Sequence, residues 1–116
     1  MKYKINGLTS NSFQKFRVDV PNNEGTINMF LKFLPTQSAW YLDIEHTELK
    51  VHNLKLVLSP NMLREYRNLI PFGLSVESND GVYPMEITAF SSGRVTLNLL
   101  DREYVQNLEG GVYVRN

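Results

Sequence analysis

The segment 39–45 constrains the fold of this chain more than any other, because it alternates apolar and polar residues and is rich in strong strand formers. Trp40, Leu42 and Ile44 share one face of an extended strand, since successive strand side chains project to opposite sides. This pattern predicts a half-buried β-strand. Trp40 is the only tryptophan, and burying so large a ring stabilises a fold considerably. We therefore predict that the core packs around Trp40.

Period-2 alternation recurs along most of the chain, with turn residues at short intervals. That combination predicts an all-β fold of about seven mainly antiparallel strands. We expect a small β-barrel or sandwich with one or two short helices. The predicted core residues are Trp40, Leu42, Leu54, Leu56 and Tyr66.

Two hairpins are predicted from paired alternating segments. The first joins 16–20 to 27–33 and continues into the Trp40 strand as a meander, and the second joins 85–89 to 95–99. A further leucine-rich strand is expected over 51–58. Short connections of this kind favour antiparallel neighbours.

The first predicted helix begins at Ser59-Pro60, where serine can cap the first turn and proline loses nothing by lacking an amide hydrogen. Apolar residues then follow at three- and four-residue spacings. The pattern predicts a helix over 60–68 that Pro71 terminates.

The second predicted helix follows Asp101, which can cap it, and extends over 102–108. Gly110 is expected to end it in a left-handed conformation. The remaining residues, 111–116, are predicted to form an edge strand or an extended C-terminal arm.

Composition limits the function classes. The chain has 116 residues, which predicts a single domain over 1–116, and 12 basic residues balance 12 acidic ones. A neutral chain has no overall field for nucleic acid or an anionic membrane. Cysteine is absent, which fits a reducing compartment. Because polar residues interrupt the N-terminal segment and every later apolar run, we expect neither a signal peptide nor a membrane span.

His46 and His52 are the only histidines, and they lie near Asp43, Glu45 and Glu48 in the sequence. Two histidines and a carboxylate can bind a metal ion. However, the spacing matches no recognised ligand pattern, and alternation places the acidic residues on the solvent face. We therefore interpret this segment as a solvated turn and predict no metal site.

Patterns for catalysis are also missing. The sequence contains no Gly-x-Ser-x-Gly elbow and no glycine-rich phosphate loop. Asp43 and Glu45 as an acid/base pair would need a desolvated pocket, which alternation does not predict. Arg64 and Arg67 are interpreted as part of the solvated face of a helix, with Tyr66 on or beside its core side, rather than as a nucleic-acid site. We expect no enzyme, no cofactor and no specific nucleic-acid partner.

Four segments carry a family resemblance: FRVDV at 16–20, WYLD at 40–43, NLKLVL at 53–58 and MLREY at 62–66. Their order and spacing over residues 13–101 resemble the phage baseplate plug family. The turn at 45–50 departs from that family by having little glycine, and the tail beyond Glu109 has no counterpart.

The resemblance implies a non-enzymatic structural component of the virion, made in the host cytoplasm and located in the tail baseplate. Such a protein would plug or join the tail tube, hub and spike at the tip. By analogy with hub and spike, the resemblance favours a ring of identical copies, with a trimer favoured over a hexamer.

Contacts with those partners would need apolar surface. Phe30 and Leu34 add apolar area to the outward face of their strand, and with Tyr113 they are the candidate interface residues. Internal packing is the alternative explanation for all three. The rival function is a small β-barrel that binds a ligand or nucleic acid, which the almost entirely apolar inward positions and the charge balance disfavour.

Overall fold

A computed structural model of the chain describes residues 1–47 and 49–113, with side chains as far as Leu108. It contains seven strands and one α-helix. Their bounds are β1 Lys2–Lys4, β2 Phe13–Asp19, β3 Thr26–Leu34, β4 Ala39–His46, β5 Leu49–Lys55, β6 Phe72–Ser78, β7 Val95–Asp101 and α1 Arg102–Tyr113.

The strands form two antiparallel sheets. One has three strands in the order β1-β7-β6, and the other has four in the order β2-β3-β4-β5. Neither sheet closes into a barrel, so the fold is a sandwich. This confirms the predicted all-β class and decides between its two architectures.

Trp40 lies at the centre of the core, fully buried. Its ring contacts Phe33 and Phe90 at centroid distances of 5.2 and 5.7 Å. The indole Nε1 donates a 3.0 Å hydrogen bond to the Glu86 carbonyl oxygen, so the only polar atom of the ring is paired. Of the other predicted core residues, Leu42 and Leu56 are fully buried, and Leu54 and Tyr66 pack against the core while partly buried.

The predicted meander is confirmed. β2 pairs with β3 and β3 with β4 in antiparallel register, with Phe16 opposite Met29 and Leu31 opposite Leu42. The β2–β3 turn depends on Gly25, which has φ +101° and whose added Cβ would lie 2.8 Å from His46 Nε2. Only glycine suits this position, because it needs both a positive φ and a close approach.

The predicted helix over 60–68 is wrong. Ser59 and Val76 form a β-bridge through N–H to O bonds of 3.1 and 3.0 Å, and the Met62 N–H donates to the Leu74 carbonyl at 2.7 Å. These backbone groups are therefore used in pairing along β6. Within 60–68, the structure has one 3₁₀ turn, at Arg64–Tyr66, in place of the predicted helix.

Asn61 fixes this extended segment. Its buried Oδ1 accepts hydrogen bonds from the Leu63 and Leu74 amides at 3.0 and 3.2 Å. Ser59 Oγ accepts from the Asn61 N–H at 3.2 Å, which makes a local turn rather than a helix cap. Ser59 thus accepts a backbone hydrogen bond, as the sequence indicates, but it does so in a turn and not at the start of a helix.

The predicted hairpin of 85–89 with 95–99 is also wrong. β7 forms at Val95–Asp101, but β6 and β1 pair with its two sides. No edge of β7 remains for residues 85–89, which form bends and turns, with Met85 and Ile87 exposed. The β7 hairpin partner is instead β6, across the long connection 79–94.

The C-terminal helix begins as predicted and ends later. Asp101 Oδ1 accepts a 2.8 Å hydrogen bond from the Tyr104 amide, which is an N-terminal cap. The helix then continues to Tyr113, so Gly110 does not end it. Residues 111–113 are helical, and 114–116 lie outside the described residues, so the arm stays a prediction for those three.

Candidate assembly surfaces

The outward face of the four-stranded sheet carries an exposed apolar patch. Phe13 is 58% exposed and Leu34 is 39% exposed. The Phe13 and Phe30 rings lie 6.4 Å apart, and Lys15 Nζ lies 5.3 Å from the Phe30 ring centre. We name Phe13, Phe30 and Leu34 the outer apolar patch.

Two of the three predicted interface residues, Phe30 and Leu34, lie on this outward face of the sheet. Leu34 is exposed, whereas Phe30 is half-buried by Phe13 and Lys15. The side chain of Tyr113 lies outside the described residues. Phe13 is not among the predicted interface residues, although the outward parity of Lys15 and Arg17 along β2 places it on the same face.

A polar cluster occupies the centre of the same face. Asp43 Oδ1 accepts a 2.8 Å hydrogen bond from the Asn53 amide, and Oδ2 lies 3.3 Å from Lys32 Nζ and 3.7 Å from His52 Nδ1. Lys32 Nζ also donates to Asn53 Oδ1 at 3.0 Å. Asn53 has φ +58° beside the register shift between Leu42 and Ile44, so the Asp43 carboxylate stabilises a β-bulge.

The environment of Asp43 changes its protonation. Burial alone raises the pKa of this carboxyl, but the hydrogen bonds from the Asn53 amide and the Lys32 ammonium outweigh it. The charges of Lys32 and His52 act in the same direction. The pKa of Asp43 is therefore below its usual range, and the ionised form stabilises the folded state.

Asp43→Asn is expected to remove a pH-dependent stabilisation. Because the folded pKa lies below the unfolded one, the ionised carboxylate stabilises the fold fully above the unfolded value of about 4, and this is lost as pH falls through the folded pKa. We expect the wild type to be more stable by about 1 kcal/mol at neutral pH. Urea unfolding of both proteins over a series of acidic pH values measures the difference.

Asp19→Asn is the matched control, because Asp19 is an exposed carboxylate on the same sheet face. Its effect reports what the removal of one negative charge does without loss of the bulge contacts. A wild-type advantage over Asp43→Asn that stays constant down to the acid transition would contradict the role assigned to Asp43.

The two histidines lie on opposite faces of the four-stranded sheet. His46 is 5% exposed, with its ring edge-on to Phe72 at 5.1 Å and its Nε2 2.8 Å from the Glu24 carbonyl oxygen. His52 lies on the outward face beside Asp43. In the part of the chain that the structure describes, no three metal-ligating side chains come together. The prediction that His46 belongs to a solvated turn is wrong, because it continues the inward parity of β4.

The other candidate clusters are part of the fold. Asp43 and Glu45 both lie on the outward face of β4. The Asp43 carboxylate accepts hydrogen bonds from Lys32 Nζ and the Asn53 amide. Arg67 donates to the Arg64 carbonyl oxygen at 2.9 Å, and Tyr66 packs against the core as predicted. These contacts give Asp43, Tyr66 and Arg67 a structural role in the fold.

A groove of about 900 Å³ separates the edges of β1 and β2. Its walls come from the segment 3–9 on one side and from β2 on the other. Apolar residues that also pack against the core line it, namely Ile5, Leu8, Phe16 and Val18. No pattern in the sequence predicts this groove.

Comparison of the chain with known protein families and with curated proteins finds no match. Among the described residues, no helix has the length and apolar character needed to cross a membrane.

Proposed function

We propose that this protein is a structural subunit of a phage tail baseplate, which plugs or joins the tail tube, hub and spike at the tip and has no catalytic site. The observation that carries the proposal is the resemblance of 16–20, 40–43 and 53–66 to the baseplate plug family. These segments form β2, β4, β5 and the stretch paired to β6, so they belong to the framework of the sandwich.

The outer apolar patch supports an assembly role. Phe13 and Leu34 present apolar surface that their own sheet leaves exposed, and aromatic side chains are enriched at the centres of protein interfaces. A ring of identical copies, with a trimer favoured over a hexamer, would bury this patch. Each interface should cover at least about 1,000 Å² in total.

Leu34→Glu is expected to weaken self-association of the purified protein by at least about tenfold, because it places a charge on apolar surface that the proposed ring buries. Mass photometry and sedimentation velocity measure the population of closed oligomers. Leu69→Glu is the matched control: Leu69 is the same residue type, 76% exposed, and lies outside the four-stranded sheet.

Equal effects of the two substitutions would contradict the assignment of the patch. A wild-type protein that remains monomeric at its highest soluble concentration would contradict the ring of identical copies.

The groove between β1 and β2 favours a second candidate, a small ligand-binding module, because its volume lies within the range of small-molecule sites.

A further inference from the structure

Most sheet edges of this fold are protected. The stretch 59–62 pairs with the outer side of β6, and the bulge with Asn53 at φ +58° interrupts β5. β1 is only three residues long. Within the described residues, β2 is therefore the one long, regular edge that no other strand covers. Such an edge is a template for another strand.

The β2–β3 hydrogen bonds show which groups are available. The Phe33 amide donates to the Ser12 carbonyl, and the Val20 amide donates to the Gly25 carbonyl, both at 2.8 Å. Because hydrogen-bonded pairs alternate in an antiparallel ladder, the even-numbered residues of β2 bond to β3. The N–H and C=O groups of Lys15, Arg17 and Asp19 consequently point to the free edge.

The groove beside this edge provides a place for the side chains of an added strand. Phe16 and Val18 from β2 and Ile5 and Leu8 from the opposite wall form an apolar floor. Alternate residues of an incoming strand would project onto that floor, and the residues between them would lie on the outward face.

The outward face at this edge is cationic. Lys15 and Arg17 project from β2, Lys4 lies on the opposite wall, and Asp19 is the single acid among the β2 residues. Over the described part of the chain, no carboxylate forms an ion pair with Lys4, Lys15 or Arg17. Carboxylates on an added strand would therefore meet uncompensated positive charge.

The same charges disfavour a second copy of β2 in the fully overlapped register. Antiparallel pairing with all of 13–19 overlapped places Lys15 opposite Arg17 of the second copy, and it does so twice by symmetry. A shift of two residues in one direction places Lys15 opposite itself, and the shift in the other direction places Arg17 opposite itself and Lys15 opposite Asp19. Like charges directly opposite each other destabilise a strand pair. An added strand that carries only carboxylates on this face matches both cations without such a contact.

We propose that the β2 edge is an acceptor site for an extended segment of a different protein, in which apolar residues alternate with aspartate or glutamate. The segment adds a fifth strand to the four-stranded sheet, with its apolar residues in the groove and its carboxylates beside Lys15 and Arg17. This deepens the proposed assembly role and rests on it only for the source of the segment, a neighbouring assembly protein.

A peptide titration tests the site on the isolated full-length protein. The probe is a labelled peptide of alternating valine and glutamate with blocked ends, matched to the seven residues of β2, and the control replaces glutamate with lysine. We expect saturable binding of the glutamate peptide, measured by fluorescence anisotropy, and at least about tenfold weaker binding of the lysine peptide. Hydrogen exchange at the Lys15 and Arg17 amides should slow when the glutamate peptide binds.

Two sets of variants separate charge from strand pairing. The double variant Lys15→Glu/Arg17→Glu should reverse the preference between the peptides. Arg17→Pro and Arg17→Gln lose the same charge, but only proline also lacks the outward amide, so Arg17→Pro should bind about fivefold more weakly. Circular dichroism and urea unfolding verify the fold of each variant, and the exchange measurement on the wild type needs no variant.

Absence of saturable binding, equal binding of the two peptides, or exchange protection of the Lys15 amide without peptide would overturn the proposal. The last result would show that copies of the protein pair with one another through β2. Loss of peptide binding would leave ring formation and tail-tip location unaffected, so the two proposals fail separately.

Discussion

Trp40→Ala is expected to lower the free energy of unfolding by about 3–5 kcal/mol, as truncation of a large core aromatic does. The indole is fully buried between the sheets, contacts Phe33 and Phe90, and donates to the Glu86 carbonyl oxygen. Its removal therefore creates a cavity and leaves a carbonyl group without its partner. Urea denaturation followed by circular dichroism measures the loss.

Tyr41→Ala is the matched control, since Tyr41 is the next residue of β4 and lies on the outward face. We expect it to cost much less than Trp40→Ala. A loss below about 1 kcal/mol for Trp40→Ala would show that the core is not organised around this strand.

Arg94→Ala is expected to lower the free energy of unfolding by about 2–3 kcal/mol, because several charge-assisted hydrogen bonds disappear together. The mostly buried guanidinium forms a bidentate pair with Glu86 at 2.6 and 2.7 Å and bonds Asp80 at 2.9 Å. It also donates to the Val82 and Tyr83 carbonyl oxygens at 2.8 and 2.9 Å. These bonds all lie within the connection 79–94 and fix its first half to the residue that precedes β7.

Arg94→Lys tests whether geometry or charge matters. A lysine keeps the charge but lacks the planar fork, so we expect it to recover less than half of the loss. Hydrogen exchange should show faster opening of 79–94 in both variants. Full stability in Arg94→Lys would contradict the role of the fork.

Trp40 and Arg94 both bind Glu86, one through its carbonyl oxygen and the other through its carboxylate. Their contributions should therefore not be additive, and a double-mutant cycle measures the coupling. This shared residue is how the irregular connection is fixed to the core strand.

The meander β2–β3–β4 could be predicted from the sequence because its information is local. Alternation determines which residues face inward, and short turns determine which strands are neighbours. Trp40, Leu42 and the β2–β3 hairpin follow from these rules alone.

The segment 85–89 shows where local information is insufficient. It alternates as a strand should, yet both sides of β7 are already paired, and the decision depends on β1, which lies far away in sequence. The helix predicted over 60–68 is wrong for the same reason. Its helical signals are real, but pairing with β6 and the Asn61 bonds outweigh them.

The candidate surfaces were predictable only in part. The parity of β3 placed Leu34 on the outward face, where the structure has it exposed, and the same reasoning along β4 would have placed His46 inward. The groove between β1 and β2 could not be predicted, because it depends on the relative position of two sheets. No local pattern encodes that offset.

Electron cryo-microscopy of intact tailed particles from the source that encodes this chain tests the proposed function most directly. The account predicts a closed ring of copies of this sandwich at the tail tip, in contact with the hub or the spike. Absence of the protein from the tail tip, or its presence there without such contacts, would contradict the account and favour the ligand-binding alternative.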